Sequence, residues 1–526
     1  MRFFNTAGPV DPQKHYCLAP LGRLDLAEIL ALIEQEQYFV VHAPRQTGKT
    51  SSLLALMDYL NRQGQYRCAY VNVEAAQTAR EDVPTAMATI LDELATWAKI
   101  GLDDPFVDER QEALLQGRPP HTALTQILTQ WAAQSPRPLL LIVDGIDTLV
   151  GDTLLSVLRQ IRAGYPRRPR HFPQSVILAG VHDLNGFRIR SEREQAVITG
   201  GSALSINTPT IKLGLFSRID IETLFHQYSD DTGYNVTPEA LERIWQLTQG
   251  HPWLVNSLGR VLVQGPGERH GVDITLDRVE QAKETLIAQG HSHLSQLADR
   301  LEEPPVRRVL EAMLTGDVLA DDFQKGDVDY VVELGLVHRG GHGALTLANP
   351  LYREIIPRIL VADLQQGMTE QVHRYVDKSN GRLDVHRLLR GFQQFCRDHS
   401  APWLQRFPYR RAAPLLLLQA FIQRIIDTNG HLEREYGLGR GRTDCLLTWP
   451  TYDGVQRVVI EMRLVQKSLV ASLIEGMEQT RNHMVRCSTK EGHLVVFDID
   501  PHKTWDEKMF SRREEFKGHT IEVWGM

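Results

Sequence analysis

Cysteine is scarce in this sequence. The five cysteines lie far apart and none belongs to a CxxC pair; they are Cys17, Cys68, Cys396, Cys445 and Cys487. This spacing argues against a disulfide framework and gives no sign of a cysteine-based structural zinc site. We interpret these residues as small buried thiols of a protein from a reducing compartment.

Long apolar runs are missing as well. No window approaches the roughly 18 uninterrupted apolar residues that a membrane-spanning helix requires. The first residues, Met1 to Asn5, do not begin an apolar leader. No internal repeat and no low-complexity tract is found either. The sequence therefore predicts a cytoplasmic, soluble protein without a membrane partner.

Neither sign of charge dominates. Lysine and arginine number 58 against 65 for aspartate and glutamate, which gives a net charge of -7. This balance argues against the uniformly basic surface of a DNA-coating protein. The part from Arg382 onward has a small basic excess, whereas the part before it is acidic. Any contact with nucleic acid is therefore expected in the C-terminal part.

The 526 residues, of which 42% are apolar, are enough for about three or four domains. Between residues 24 and 181, short apolar runs alternate with amphipathic helical stretches. The runs that are typical of buried strands are 38–42, 69–73, 139–143 and 176–179. This alternation predicts an α/β fold with a parallel sheet covered by helices. From 218 to 262 the apolar spacing of three and four predicts a helical lid.

Two further regions have patterns of their own. Residues 302–347 suggest two helices followed by a hairpin, which is the outline of a winged helix. A winged helix either binds DNA or, in nucleotide-dependent switches, serves as a packed lever. A polar stretch at 365–380 is typical of a linker. Beyond it, the sequence predicts a helix, three strands, a helix and a strand, which would form a compact domain.

The strongest motif follows the first predicted strand. It has the spacing of a phosphate-binding P-loop, with Ala43 in place of the usual glycine. Its residues are Ala43, Pro44, Arg45, Gln46, Thr47, Gly48, Lys49, Thr50 and Ser51. Main-chain amides of such a loop cradle phosphate oxygens, Lys49 adds a positive charge, and the Thr50 hydroxyl reaches Mg²⁺. The sequence therefore predicts a site for ATP and Mg²⁺.

A carboxylate at the end of a neighbouring buried strand completes this kind of site. Asp144 follows the apolar run 139–143 and is predicted to hold Mg²⁺ together with Thr50. Gly145 comes next, so the acid that often follows to orient the attacking water is missing. Asp147 is the nearest acid; it either has this catalytic role or is a helix cap or solvated turn residue. We expect slow or conditional hydrolysis.

On these motifs the sequence resembles the bacterial AAA-like, STAND-type P-loop ATPases. Their aromatic, Gly-Pro opening is matched at residues 3–9, and their Pro-Arg-Gln-x-Gly-Lys-Thr loop at residues 44–50. The resemblance covers about residues 1–360. It implies a parallel-sheet ATPase core with a lid, in which nucleotide state rearranges the lid and the winged-helix segment.

The same resemblance implies two further contacts with the nucleotide. A polar sensor, commonly arginine, would follow the strand at 176–180, but His182 stands there, with Arg188 or Arg190 as candidates to reach in from the loop. A Gly-x-Pro of the lid would face the nucleotide and is matched at residues 250–252. For Pro252 the alternative is an ordinary helix start.

Two acidic residues mark the strands of the last domain. Asp444 opens one predicted strand after a glycine-rich turn, and Glu461 ends the next. Antiparallel pairing of these strands would bring the two carboxylates together at one edge. Carboxylates and water are the ligands that a hard divalent cation requires. Acids at strand ends are common, however, so the residues alone leave a structural role open.

The order of elements and the acidic spacing over residues 382–526 look like the PD-(D/E)XK nuclease superfamily. This resemblance implies Mg²⁺-dependent phosphodiester hydrolysis of DNA, with Asp444 and Glu461 as metal ligands and either Glu433 or Glu435 as an upstream helper. The basic residue of the family's Glu-x-Lys is Arg463 here. An arginine stays protonated and only stabilises negative charge.

Three nearby residues complete the implied nuclease site. Lys467 is the candidate to replace the missing lysine. Gln479 and His483 fall where a glutamine and an aromatic residue of the family contact the site or DNA. They share one face of a helix, and a solvated face is the alternative.

These observations together predict an order of domains. It is a P-loop ATPase core at 1–215, a helical lid at 216–295, a winged-helix-like module at 296–362, a linker at 363–381 and a nuclease-like domain at 382–526. We favour an ATP-binding, slowly hydrolysing switch that controls a Mg²⁺-dependent nuclease-like domain acting on DNA. Formation of a homo-oligomer would add to the coupling between the sites.

The alternative is a catalytically reduced, nucleotide-dependent switch or scaffold that binds nucleic acid or a protein without cutting it. Four departures from the expected residue types support it. They are Gly145, His182, Arg463 and His483. Both metal carboxylates and the phosphate loop are nevertheless intact, so the enzyme is favoured.

Overall fold

A computed structural model of the chain describes two compact units. The residues described are 2–117, 119–181, 188–191, 196–199, 204, 208–263, 272–288, 297, 300–301, 303–313, 323–340, 343–356, 359, 375–404, 413–426, 430–435, 443–465, 468–500 and 502–526. The first unit comprises Met1–Leu286 and Val332–Leu336, and the second comprises Ile287–Val331 and Val337–Met526.

The first unit is built around a parallel sheet. Its strands are β1 (Phe3–Phe4), β2 (His15–Tyr16), β3 (Phe39–His42), β4 (Arg67–Asn72), β5 (Leu139–Asp144), β6 (Ser175–Gly180), β7 (Arg188–Ser191), β8 (Ala196–Thr199) and β9 (Thr210–Lys212). The five-stranded sheet has the order β4-β5-β6-β3-β9, and every neighbouring pair is parallel. The carboxyl ends of these strands therefore meet at one edge.

Helices cover both faces of this sheet. They are α1 (Leu26–Glu34), α2 (Lys49–Gln63), α3 (Val83–Leu102), α4 (Phe106–Gly117), α5 (Pro120–Gln134) and α6 (Gly151–Gly164). One apolar cluster lies on each side of the sheet. Every residue of β5 and β6 is buried, which explains why these strands appear in the sequence as continuous apolar runs.

The predicted α/β fold and its four strands are confirmed. Other strands of the first unit were not predicted, among them the pair β1 and β2. Strand β9 has three residues, of which only the central one is buried, so it leaves no apolar run. The hairpin of β7 and β8 was also not predicted.

The helical pattern predicted after the sheet is confirmed as well. The helices are α7 (Arg218–Thr232), α8 (Pro238–Thr248), α9 (Pro252–Val263) and α10 (Leu276–Ala288). A capping box between Ser217 and Asp220 starts α7. Pro252 is the first residue of α9, a position where its missing N–H costs nothing.

Residues 304–347 contain the two helices and the hairpin that the sequence indicates. The helices are α11 (Pro304–Met313) and α12 (Lys325–Glu333), and the antiparallel strands are β10 (Val337–Arg339) and β11 (Leu345–Leu347). The winged-helix interpretation of these elements stays a prediction.

A six-stranded mixed sheet is the core of the second unit. Its elements are α13 (Val385–Leu404), α14 (Ala413–Ile426), β12 (His431–Glu435), β13 (Thr443–Thr451), β14 (Gly454–Leu464), α15 (Leu469–Arg486), β15 (Glu491–Phe497), α16 (Trp505–Lys508), β16 (Phe510–Phe516) and β17 (His519–Gly525). The strand order is β12-β13-β14-β15-β17-β16.

The predicted order of helix, three strands, helix and strand is confirmed from α14 to β15. Helix α13 and the hairpin of β16 and β17 were not predicted. Most side chains of β16 are exposed or half-buried, and its centre reads Arg-Arg-Glu-Glu, so this edge strand has no apolar alternation. Among the described helices of the chain, none is long and apolar enough to cross a membrane.

One buried amide side chain joins the segment before α13 to the C-terminal sheet. The Gln456 side chain accepts a hydrogen bond from the N–H of Leu383 (2.9 Å) and donates one to its carbonyl (3.0 Å). It also donates to Glu491 Oε2 at 3.1 Å. The Trp449 indole donates to the carbonyl of Gly381 at 2.9 Å. Residues 375–381, placed by the sequence in the linker, are thus bonded to the C-terminal sheet.

Replacing Gln456 by alanine should destabilise the second unit by about 2 kcal/mol, because two buried main-chain groups would lose their partner. Hydrogen exchange should show faster exchange of the Leu383 amide, and urea unfolding should give the lower stability. Gln246→Ala is the matched control, since its exposed amide donates to the Glu242 side chain one turn earlier on the same helix. Equal behaviour of the two variants would contradict this assignment.

Candidate functional site

The phosphate loop connects β3 to α2. Gly48 is the N-cap of α2 and has a φ of +87°, a left-handed conformation that glycine adopts without strain. It has no side chain to cap the helix, and the main-chain N–H groups of a first helical turn have no partner within the helix. This end of α2 is therefore suited to bind an anion.

Hydrogen bonds fix the carbonyl groups of the loop. The Thr47 hydroxyl donates to the Pro44 carbonyl and the Lys49 ammonium donates to the Ala43 carbonyl, both at 2.7 Å. The Arg23 guanidinium donates to the Thr47 carbonyl. Since the C=O and N–H of one peptide unit point in opposite directions, bonds that hold the carbonyls also orient the amides. The loop is thus ordered by the protein itself.

Ala43 occupies the position where the motif usually has glycine. Its methyl group is fully buried in the apolar cluster beneath the loop. Its N–H donates to the Gly180 carbonyl at 3.2 Å. The departure from the motif is therefore accommodated by packing.

Asp144 connects the phosphate loop to the neighbouring strands. Its Oδ2 accepts hydrogen bonds from the Thr50 hydroxyl at 2.7 Å and from the Tyr70 hydroxyl at 2.9 Å, and its Oδ1 accepts from the Gly145 N–H at 2.9 Å. Burial raises the pKa of Tyr70, and Asp144 raises it further. The expected pair of Thr50 and Asp144 is thus brought together, on a carboxylate that is only 4% exposed.

The environment of Lys49 is both buried and acidic. Burial lowers the pKa of its ammonium group, whereas the carboxylates of Asp147 and Asp144 act in the opposite direction. Asp147 lies beside the end of β6, because a Cβ at Gly180 would be 2.8 Å from Asp147 Oδ1. The structure therefore places Asp147 close to Lys49 and to the end of β6, and its catalytic role stays a prediction.

The glycine after Asp144 has a structural reason. Gly145 has a φ of +75°, and a Cβ there would lie 3.2 Å from Asn72 Oδ1 and 3.6 Å from the Glu74 Cβ. The Asn72 side chain accepts a hydrogen bond from the Glu74 N–H at 2.9 Å. Glu74, which the sequence analysis missed, therefore lies against the position where the expected acid is absent.

The N-terminal segment joins α2 to the helices that follow the sheet. The Val10 N–H donates to the Ser51 hydroxyl at 3.2 Å. The Trp253 indole donates to the Thr6 carbonyl at 3.1 Å. Phe4 is fully buried against Phe225, with ring centres 4.9 Å apart. The aromatic opening of the sequence is therefore a strap between the loop helix and α7 and α9.

The Gly-x-Pro at 250–252 is tied to the segment before α7. The Phe216 N–H donates to the Gly250 carbonyl at 2.8 Å. A Cβ at Gly250 would lie 2.0 Å from the Phe216 carbonyl oxygen, so only glycine fits. Pro252 starts α9 and is buried. The sequence expected Pro252 to face the nucleotide, and this role stays a prediction.

One turn outside the sheet reaches the phosphate loop. Residues 332–336 belong to the first unit. Gly335 has a φ of +75°, and a Cβ there would lie 2.6 Å from Pro44 Cγ. Any larger residue at this turn would have to displace the loop proline.

The predicted sensor lies outside the described residues. This holds for His182 itself. Arg188 and Arg190 belong to β7, but their side chains are also outside the described part of the structure.

In the second unit, the strands align three of the predicted acidic residues. Asp444 on β13 is directly opposite Glu461 on β14 and Glu435 on β12. Glu433 is opposite Leu446 instead, so of the two upstream candidates only Glu435 is aligned with the pair. The side chains of Asp444, Glu433 and Glu435 lie outside the described part of the structure.

Glu461 and Arg463 are buried together beneath α15. The Glu461 side chain has no solvent exposure, and its Oε1 lies 3.8 Å from Arg463 Nε. Arg463 donates to Glu475 Oε2 at 3.0 Å and also to Gln479 Oε1. A Cβ at Gly476 would lie 3.3 Å from Arg463 Cδ, so α15 packs closely on this arginine.

The other residues predicted for this site are His483, Gln479 and Lys467. His483 is 2% exposed, so the alternative of a solvated helix face is wrong for this residue. Gln479 is half-buried and bonds to Arg463, and its role stays a prediction. Lys467 lies outside the described residues. Among the side chains that the structure describes, no three histidine, cysteine or acidic groups converge as a metal site.

Comparison with known families gives a match to part of the first unit. Residues 33–187 match the family model described as an AAA domain. The first unit contains a P-loop ATPase domain. The match includes β3, the phosphate loop and Asp144, and it leaves most of the chain, including the second unit, unassigned. No protein of curated function matches the chain.

Several solved structures are similar to the chain. A Walker-type ATPase of Pyrococcus abyssi is 12% identical with a TM-score of 0.46, over 67% of this chain and 99% of that one. The RuvB Holliday junction branch migration motor of Thermotoga maritima is 14% identical with a TM-score of 0.33, over 64% and 93%. Cdc6p of Pyrobaculum aerophilum is 15% identical with a TM-score of 0.34, over 69% and 97%. These likenesses support no statement about what this chain binds.

Sequence reasoning missed three residues around the phosphate loop. They are Arg23, Tyr70 and Glu74. Arg23 bonds to main-chain carbonyls, which no sequence pattern reveals. Tyr70 lies within a predicted strand whose register was not known. Glu74 immediately follows a predicted strand, at the carboxyl edge of the sheet, and this position is the one signal that could have indicated Glu74.

Proposed function

We propose that this protein is an ATP-binding P-loop switch that controls a Mg²⁺-dependent nuclease-like domain acting on DNA. The observation that carries the first half is the bond between the Thr50 hydroxyl and Asp144 at the start of α2, which joins the phosphate loop to the metal-binding carboxylate. The AAA domain match covers both residues.

The residues of the loop fit ATP and Mg²⁺ by their chemistry. The loop amides and the start of α2 donate to phosphate oxygens, and the Lys49 ammonium can exchange the Ala43 carbonyl for a phosphate. Thr50 and Asp144 offer the hard oxygen ligands that Mg²⁺ prefers. The bound ion would neutralise negative charge on the phosphates.

Asp147 is the proposed acid that orients the attacking water. Its carboxylate acts on Lys49 and lies beside the end of β6. Glu74 is the second candidate, because it lies against the empty side-chain position of Gly145. Neither acid directly follows Asp144, which is the reason to expect slow hydrolysis.

The second half of the proposal depends on strand register. Residues directly opposite in antiparallel strands have Cα atoms about 4.5–5.5 Å apart and lie on the same face of the sheet. Asp444, Glu461 and Glu435 therefore form a row of acids across three strands. Such oxygen donors suit Mg²⁺.

Arg463 would have an electrostatic part in this site. Its guanidinium is held by Glu475 and Gln479 near Glu461. It remains protonated, so it would stabilise negative charge on a phosphodiester and would not accept a proton from water. Lys467 stays the candidate for that second task.

The alternative is a nucleotide-dependent scaffold that binds nucleic acid or a protein partner without cleavage. Arg463 in place of lysine and Gly145 in place of an acid both favour it. A homo-oligomer and a cytoplasmic location also stay predictions from the sequence.

Lys49→Ala should weaken ATP binding at least about tenfold, since the charge that faces the phosphates is lost. Isothermal titration with ATP and Mg²⁺ measures this. Lys99→Ala is the control, because this exposed lysine of α3 pairs with Asp108 on the following helix, α4. Unchanged affinity in Lys49→Ala would contradict ATP binding at this loop.

Asp147→Asn should lower ATP hydrolysis roughly 100-fold while ATP remains bound, because the amide cannot take up a proton from water. Release of inorganic phosphate and ATP affinity are measured in parallel. Glu74→Gln should hydrolyse ATP at nearly the parent rate. The opposite result would assign the role to Glu74.

Asp444→Asn and Glu461→Gln should each abolish plasmid linearisation by the full chain with Mg²⁺ or Mn²⁺, tested with and without ATP, because either change removes a charged metal ligand. Asp453→Asn, at the exposed turn of the same hairpin, should cleave like the parent. ATP binding without cleavage by the parent under either metal would favour the scaffold.

A further inference from the structure

Arg23 contacts both the phosphate loop and the segment that leads to α7. It ends a short 3₁₀ helix, Pro20–Arg23, which is fastened to α2 where the Ser52 hydroxyl donates to the Pro20 carbonyl at 3.0 Å. Its guanidinium donates to the carbonyls of Thr47 and Gly214. One side chain therefore spans the loop and the connection between β9 and α7.

These two carbonyls accept hydrogen bonds from a cation that is half-buried. Burial lowers the pKa of Arg23 to about 10. The carboxylate of Asp220 acts on the Arg23 pKa in the opposite direction, but in the described part of the chain no carboxylate forms an ion pair with Arg23. The Phe216 ring lies 4.9 Å from the guanidinium carbon, and a Cβ at Gly48 would lie 2.7 Å from Arg23 Nη1. The arginine thus depends on both carbonyls, and the loop glycine leaves the space that it occupies.

Phe216 links Arg23 to the start of α9. Phe216, which lies under the guanidinium, donates its N–H to the Gly250 carbonyl, and Gly250 fits against the Phe216 carbonyl without room for a side chain. A displacement of residues 214–216 must therefore displace the turn that starts α9. In the other direction, the bond to the Thr47 carbonyl fixes the peptide unit whose N–H belongs to Gly48.

We propose that Arg23 is a positioning residue that couples the phosphate loop to the helices of residues 216–263, so that binding of the ATP phosphates and ordering of these helices depend on each other. The inference rests on the proposed binding of ATP at the loop. Coupling of this kind is reciprocal, since each event changes the equilibrium of the other by the same factor.

The experiment compares Arg23→Met with Arg168→Met in the full chain. Arg168 is a matched control, because its guanidinium also donates to main-chain carbonyls, those of Tyr165 and Glu36, and stacks on the Tyr165 ring. ATP affinity is measured by titration, and hydrogen exchange of residues 218–263 is measured with and without saturating ATP and Mg²⁺.

In the parent, ATP should slow exchange in α7 and α9. Arg23→Met should bind ATP about 5- to 150-fold more weakly, the usual range of coupling between sites, and should show no added protection when saturated. Arg23→Lys should recover part of both effects, since an ammonium can reach one carbonyl. Arg168→Met should lower the melting temperature but keep the parent's affinity and protection.

Two results would overturn the coupling while leaving ATP binding intact. One is an Arg23→Met variant that binds ATP and protects α7 and α9 as the parent does. The other is an Arg168→Met variant with the same losses as Arg23→Met, which would show a general loss of stability. A parent that does not bind ATP would instead refute the proposed function, and the coupling with it.

Discussion

The hydrogen bond between the Thr50 hydroxyl and the Asp144 carboxylate holds the nucleotide site together. Thr50 lies in the first turn of α2, which follows β3, and Asp144 ends β5. Strands β3 and β5 are not neighbours in the sheet, but both pair with β6. The parallel arrangement brings their carboxyl ends to one edge, where the loop after one strand meets the acid that ends the other. This strand order is therefore what places the phosphate loop next to its carboxylate.

The surroundings of this bond stabilise it. Tyr70 and the Gly145 N–H occupy lone pairs of Asp144, which is necessary because a buried carboxylate without hydrogen bonds is costly. Thr47 and Arg23 hold carbonyl groups of the loop, so the protein itself sets part of the loop conformation. A site that is ordered in advance loses less entropy when it binds phosphate.

Much of this arrangement could be predicted from the sequence. The phosphate loop and Asp144 follow continuous apolar runs, and such runs indicate buried parallel strands. In the second unit the pairing of Asp444 with Glu461 could also be predicted, because Asp444 lies near the start of one strand, Glu461 lies near the end of the next, and antiparallel pairing brings these two ends together. What could not be predicted depends on three-dimensional contacts. Strand register decides that Glu435, and not Glu433, is opposite Asp444. The contact with Asn72 explains why residue 145 is glycine, and bonds to main-chain carbonyls place Arg23 at the phosphate loop.

The most direct measurement of the central claim is a crystal structure of the full chain with Mg²⁺ and a non-hydrolysable ATP analogue. The account predicts the triphosphate in the loop between β3 and α2, in contact with the Lys49 ammonium, and the metal ion held through the Thr50 hydroxyl and Asp144. A crevice that is closed by packed side chains, or an analogue bound elsewhere, would contradict it.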